Sequence, residues 1–174
     1  MRSVFREKPD AAELRARMAG WKGRVWVWLP VVLGLTIIAI ESTNTFSSEN
    51  TSGWIRPVFE RIFGHINDTV WAWGHHLARK SGHFGGYGFL CLTFVRAWLL
   101  MLAPRPGLSV RMWRWQACLL AVESTFLVAN LDEWHQTFIP SRTGLFSDVL
   151  LDTSGAAVMC GLVWLFRWAG KRKA

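Results

Sequence analysis

Four long apolar stretches constrain the fold of this chain more than any other feature. They cover about residues 21–40, 83–103, 113–131 and 148–168. A helix needs about 20 apolar residues to cross the hydrocarbon core of a bilayer, and each stretch is that long or nearly so. Only 18% of the residues are charged, against about 25% in soluble domains. We therefore predict an all-α membrane protein with a four-transmembrane-helix bundle. The bundle domain is expected over residues 26–168, between a basic segment at 1–25 and a basic tail at 169–174.

The basic residues indicate the orientation of these spans. Seven Lys and Arg residues lie in 1–24, four in 96–114 and four in 167–173, which is fifteen of the twenty in the chain. Four spans place these three regions on one side of the membrane, and loops rich in Lys and Arg stay in the cytoplasm. A multi-pass protein with both termini in the cytoplasm is therefore expected. The same loop clusters account for the net charge of +8, so a nucleic-acid partner is not expected.

The first outer loop, residues 41–82, carries helical signals of its own. Within the sequence WIRPVFERIF, apolar residues fall on one helical face and charged residues on the other. This pattern is typical of an amphipathic helix lying in the membrane interface. Asp68 is predicted to cap a second interfacial helix that leads into the second span.

Polar side chains recur at the outer end of three spans. Helical spacing aligns them on one face of each span: Lys80, His83 and Tyr87 in the second span; Asp132 and Gln136, with Glu133 beside them, in the third; Asp148, Asp152 and Gly155 in the fourth. Ionisable groups below a membrane interface are rare and are often functional. Two structural alternatives stay open: Asp152 could form an ion pair with Lys80 or Arg142, and Asp148 could merely stabilise the first turn of a helix.

The residue types in this cluster suit chemistry on a phosphate-containing head group. His83 can exchange protons near neutral pH with a carboxylate orienting its ring, whereas Lys80 and Arg142 can bind a phosphate. The candidate catalytic residues are His83, Asp152, Asp132 and Glu133, and the candidate substrate-binding residues are Lys80, Tyr87, Gln136, Arg142 and Asp148. The carboxylates and His83 could also hold a divalent cation. The metal stays unassigned because no known ligand spacing is present, and Cys91, Cys118 and Cys160 are expected to be free buried thiols.

Two motifs resemble those of the VanZ-like family of small bacterial membrane proteins. The pattern K-x-x-H-F-x-x-Y-x-x-L matches the residues from Lys80 to Leu90, and D-E-x-x-Q-x-F-x-P-x-R matches those from Asp132 to Arg142. Two aspartates and a glycine follow, as in the family, at Asp148, Asp152 and Gly155. The resemblance implies a place in the bacterial cytoplasmic (inner) membrane and a role at the outer face of the cell envelope. The name-giving member is associated with resistance to the lipoglycopeptide teicoplanin.

Two classes of function fit these features. The first is an enzyme, a hydrolase or transferase acting on the head group of an outer-leaflet lipid or amphiphile. The second is a non-catalytic protein that binds a lipid or lipoglycopeptide, or a small transporter. A third interpretation makes the polar residues a scaffold for assembly. Membrane lipids are the expected partners in the first two, and a homo-oligomer is compatible with all three.

Overall fold

The computed structural model describes residues 4, 5 and 7–168, and this part of the chain is almost entirely helical. The helices are α1 (Ala11–Met18), α2 (Trp21–Glu41), α3 (Ser48–Phe63), α4 (Asp68–Leu102), α5 (Val110–Gln136) and α6 (Phe146–Val163). A 3₁₀ turn, Asn44–Phe46, separates α2 from α3, and a π-helical turn, Trp164–Trp168, continues α6. No strand occurs in these residues, which confirms the all-α fold class. The basic tail predicted at 169–174 lies outside the described residues.

Helix α4 joins the second predicted interfacial helix and the second predicted span into one element of 35 residues. Its N-cap is Asn67, whose side chain accepts a hydrogen bond from the backbone N–H of Thr69. The prediction of Asp68 as the cap was wrong by one residue. Asp68 lies in the first helical turn and accepts a hydrogen bond from Arg56 at 2.6 Å instead. The helix ends at Leu102, directly before the turn that contains Pro104 and Gly107, because proline cannot continue a helix.

Helix α4 is the central element of the bundle and packs against α2, α5 and α6. Glycines allow α4 and α6 to approach at the backbone, since a Cβ on Gly155 would overlap the carbonyl oxygen of Phe84. The contact between α4 and α5 is tied by Trp113, whose Nε1–H donates to the Leu99 carbonyl at 2.8 Å. Small and apolar side chains fill the space between the helices, including Val95, Ala117 and Ala156.

Three helices in the described part of the chain are long and apolar enough to cross a membrane. They are Trp21–Glu41, Asp68–Leu102 and Phe146–Trp168, with mean hydropathies of 1.9, 1.5 and 1.8. Residues on one side of α2, such as Leu29, Leu33 and Ile37, are about half exposed, as expected for a surface that faces lipid. The predicted third span lies in α5, which is not among these three.

The N-terminal segment packs against the turn between α4 and α5. The Lys8 ammonium group donates to the Leu108 carbonyl at 3.0 Å, and the Arg15 guanidinium donates to the Pro104 carbonyl at 2.9 Å. Leu14 is buried in the hydrophobic core between these contacts. We call this end of the bundle, formed by residues 7–24, 96–114 and 164–168, the basic end. The opposite end, formed by residues 41–48, 76–87 and 132–152, is the polar end.

Candidate functional site

The polar end brings together predicted site residues from the second, third and fourth predicted spans. Helix α4 contributes Lys80, His83 and Tyr87, α5 contributes Asp132, Glu133 and Gln136, and α6 contributes Asp148 and Asp152. Arg142 comes from the loop between α5 and α6. The alignment follows from helical spacing, because residues three or four apart share a face. The contacts of these side chains divide them into groups with different environments.

Asp132 is a hydrogen-bonding centre that joins three helices. Its Oδ2 accepts from the Tyr87 hydroxyl on α4 and from the Gln136 amide on α5, each at 2.9 Å. Its Oδ1 accepts from the hydroxyl of Ser42, directly after α2. The Asp132 side chain is therefore satisfied although the residue is only 9% exposed. This arrangement indicates that Asp132, Tyr87 and Gln136 hold the helices in position around the site.

Asp152 has the opposite environment. The residue is 0% exposed, and neither carboxyl oxygen has a hydrogen-bond partner. The Nδ1 atom of His83 lies 3.7 Å from Asp152 Oδ2. A buried carboxyl without a hydrogen-bond donor is destabilising, which makes Asp152 a candidate functional residue. The alternative of an ion pair between Asp152 and Lys80 or Arg142 does not occur in the structure.

Lys80 and Asp148 form the ion pair nearest to this carboxyl. The Lys80 ammonium group donates to Asp148 Oδ1, and both side chains are partly exposed. Asp148 also lies in the first turn of α6, where a carboxylate is favourable. Lys80 is therefore partly exposed, and its charge is balanced by Asp148.

The loop between α5 and α6 is fixed by Glu133 and Arg142. Glu133 Oε2 accepts from the backbone N–H of Leu145 at 2.8 Å. Arg142 donates to the carbonyls of Thr43 and Phe46, at 3.1 and 2.8 Å, and so ties this loop to the segment after α2. Burial lowers the pKa of the Arg142 guanidinium, and the charges of Asp132 and Glu133 oppose this shift. The carboxylates therefore help to keep Arg142 charged.

Two cavities meet at the polar end. The first, of about 190 Å³, is lined mainly by polar side chains and is called the polar cavity: Ser48, His76, Arg79, Lys80, His83, Glu133, Gln136, Ser141, Arg142, Thr143, Leu145 and Asp148. The second, of about 250 Å³, runs between α2 and α4 and is called the apolar groove: Gly34, Ile37, Ile38, Glu41, Phe46, Thr51, Arg79, Gly82, His83, Gly86, Phe89 and Leu90. Arg79 and His83 line both.

Arg79 is a site residue that the sequence reasoning missed. Its guanidinium donates to the Phe46 carbonyl at 2.8 Å, the same carbonyl that Arg142 contacts. Its position one turn before His83 on α4 was an available signal, because residues four apart share a helical face. Arg79 adds a third cation to Lys80 and Arg142 around the polar cavity.

The structure also bears on the metal and the thiols. Among residues 4, 5 and 7–168, no group of three or more His, Cys, Asp or Glu side chains is arranged to hold a metal ion. Both oxygens of Asp132 already accept hydrogen bonds. The three cysteines are free and buried, as predicted.

The fold and the polar end together define a class, a helical membrane protein with a buried carboxyl beside a histidine. The particular family follows from comparison with known proteins. The chain matches the model of the VanZ/LLP1 family over residues 25–167 and belongs to this family. Comparison with curated proteins and with solved structures gives no match.

Proposed function

We propose that the chain crosses the bacterial cytoplasmic membrane four times, with both termini in the cytoplasm and the polar end at the outer face. Three helices have the length and hydropathy of spans. Helix α5 has 27 residues, or about 40 Å at 1.5 Å per residue, which exceeds a hydrocarbon core of about 30 Å. In the bundle, α5 packs against both α4 and α6. The count of Lys and Arg residues at the two ends supports the orientation.

Cysteine labelling in intact cells tests this topology. Ser141 is exposed at the polar end and Arg105 at the basic end, and the three native cysteines are buried. A membrane-impermeant maleimide should label Ser141→Cys in intact cells and Arg105→Cys only after permeabilisation. Labelling of both from the same side would mean that α5 does not cross the membrane.

For the site itself, we propose that the polar cavity binds a phosphate-containing head group of a membrane lipid or related amphiphile, on which His83 acts as a general base. The observation that carries this proposal is the Asp152 carboxyl, fully buried without a hydrogen-bond donor and 3.7 Å from His83 Nδ1. A carboxyl in this position can orient an imidazole and stabilise its protonated form. It also leaves the other ring nitrogen, Nε2, for the cavity.

The residues around His83 suit a hydrolase or transferase. His83 Nε2 would take a proton from a water molecule or an acceptor hydroxyl, whose oxygen then attacks the carbon or phosphorus of the scissile linkage. As that linkage breaks, the leaving oxygen receives the proton from His83, and Asp152 stabilises the intermediate imidazolium. Arg79 and Lys80 would bind the phosphate, because cations in a partly buried cavity attract anions strongly. No metal ion is needed for these steps.

A specific observation favours a second candidate function, a non-catalytic binder of a lipid or lipoglycopeptide. The 3.7 Å between His83 and Asp152 is too long for a hydrogen bond, and Lys80 and Arg142 already have partners. A preformed cavity of this kind could hold an amphiphile without reacting with it. Catalytic hydrogen bonds often tighten only when substrate is bound, so we place the enzyme first.

Lipid analysis with a matched histidine pair separates the two functions. The full chain is placed in nanodiscs made from a bacterial lipid extract, and mass spectrometry follows the lipids over time. We expect the wild type to consume one lipid class and His83→Gln to leave it intact. His135→Gln is the control, because His135 is exposed and lines neither cavity. An unchanged lipid pool, with one species retained by the wild type, would contradict catalysis on these lipids and support the binder.

A further inference from the structure

The apolar groove continues the polar cavity along the bundle, between α2 and α4. Gly34 and Leu90 line the groove and are in close contact, since a Cβ on Gly34 would lie 2.9 Å from Leu90 Cδ1. The groove ends beside Arg79 and His83, which it shares with the polar cavity. The eight residues from Gly34 to Glu41 on α2 span about 10 Å along the helix axis. The groove is therefore long enough for part of an extended hydrocarbon chain.

Two glycines of α4 keep this groove open. A Cβ at Gly82 or at Gly86 would meet no atom within 4 Å, and the two residues share a helical face. The sides are apolar, with Ile37 and Phe89 more than half exposed on the surface of the bundle. An apolar groove that opens sideways from a membrane helix admits a lipid chain directly from the bilayer.

We propose that the apolar groove binds one acyl chain of the same lipid whose head group occupies the polar cavity. This inference rests on the proposed function, since it takes the head-group site as given. The continuity of the two cavities at His83 carries it, together with the unpartnered Asp152 carboxyl behind that histidine. A ligand with a phosphate at Arg79 and Lys80 and a chain in the groove is a phospholipid-like amphiphile. The bond that links the head group to the acyl chain of this lipid then lies beside His83, the proposed general base.

A pair of adjacent glycines provides a matched test. Gly86→Leu fills the groove, whereas Gly85→Leu places the same side chain on the same helix, outside both cavities and also without an atom within 4 Å. The probe is a phospholipid with a diazirine on its acyl chain, in nanodiscs, and peptide mass spectrometry locates the crosslinks. We expect crosslinks at Ile37, Ile38 or Phe89, reduced about tenfold in Gly86→Leu and unchanged in Gly85→Leu. Gly82→Leu serves as a second groove-filling variant if Gly86→Leu does not fold.

The outcomes distinguish the groove from the head-group site. Two results would overturn the acyl-chain site: groove crosslinks as frequent in Gly86→Leu and Gly82→Leu as in the wild type, or no groove crosslinks in the wild type. Either result holds independently of the lipid-turnover assay of His83→Gln. Crosslinks lost in the groove-filling variants support it even if no lipid is consumed, in which case the catalytic part of the proposed function fails alone. A second probe, a diazirine fatty acid without a phosphate head group, is compared with the diazirine phospholipid. If the fatty acid crosslinks to the groove as efficiently as the phospholipid, one lipid does not need to occupy both the groove and the polar cavity, and that part of the proposal is overturned.

Discussion

Two buried aspartates at the polar end, Asp132 and Asp152, have opposite surroundings. Asp132 accepts hydrogen bonds from Ser42, Tyr87 and Gln136, which lie on or next to three different helices. Asp152 is more deeply buried and accepts none. Burial of a carboxyl thus serves two purposes in one cluster: Asp132 stabilises the arrangement of the helices, whereas Asp152 is left without partners beside His83. The comparison separates residues that build the site from residues available for a ligand or reaction.

The largest expected effect is on stability, from Asp132→Ala. The substitution leaves the hydroxyls of Ser42 and Tyr87 and the amide of Gln136 without their acceptor, and each buried unsatisfied group costs roughly 1–3 kcal/mol. We expect a loss of several kcal/mol in the free energy of unfolding, measured by denaturation in mixed micelles with tryptophan fluorescence as the signal. Wild-type stability would contradict the role of Asp132 as the centre that joins the helices.

The next largest loss of stability is expected at the contact between α4 and α6, the helix that carries Asp152. Gly155→Ala should force α6 away from α4, because the new Cβ overlaps the Phe84 carbonyl, and overpacking of this kind costs roughly 1–3 kcal/mol. Gly161→Ala is the control on the same helix, where a Cβ meets no atom within 4 Å. It should be neutral or slightly stabilising, since alanine favours helix more than glycine. Equal unfolding midpoints for the two variants would show that α4 and α6 do not depend on this contact.

Asp152→Asn should affect function rather than stability, in contrast to Asp132→Ala. No hydrogen bond is lost, so the unfolding midpoint should stay the same or rise. If Asp152 orients a general base, lipid turnover should fall by roughly 10²-fold or more. The two measurements are made on the same preparation. A destabilised Asp152→Asn variant would assign Asp152 a structural role and remove the contrast with Asp132.

The smallest stability effect is expected from the pair formed by Lys80 and Asp148. Their side chains are 30% and 23% exposed, and partly exposed ion pairs contribute less than about 1 kcal/mol. Lys80→Gln should therefore unfold close to the wild type while weakening retention of an anionic phospholipid several-fold, as measured by native mass spectrometry. Asp148→Asn is the matched variant, since it breaks the same pair but keeps the cation. Equal losses of lipid in both would indicate that the ion pair, rather than the Lys80 charge, matters.

Much of the fold could be predicted from the sequence, because membrane helices are defined by local composition. The apolar stretches at 21–40, 83–103 and 148–168 correspond to α2, the second half of α4 and α6 with its π-helical turn. The stretch at 113–131 lies in α5, but its crossing of the membrane stays a prediction. Polar residues at Gln116, Glu123 and Asn130 lower the hydropathy of α5, and local composition does not reveal how far neighbouring helices compensate for them.

Most residues of the polar end could be grouped from the sequence. Helical spacing groups Lys80, His83 and Tyr87, Asp132 and Gln136, and Asp148 and Asp152 on common faces, because the period of a helix is a local property. The same argument could have added Arg79, one turn from His83.

The contacts of each of these side chains depend on the tertiary structure. Asp132 and Asp152 have the same chemistry and both lie near helix ends. Asp132 accepts from three donors, of which Ser42 and Tyr87 lie outside its own helix, whereas Asp152 has a histidine at 3.7 Å and no donor. The apolar groove likewise depends on the separation of α2 from α4 at Gly82 and Gly86. Contacts and cavities of this kind depend on how helices distant in sequence approach one another, and a local sequence pattern carries no information about that approach.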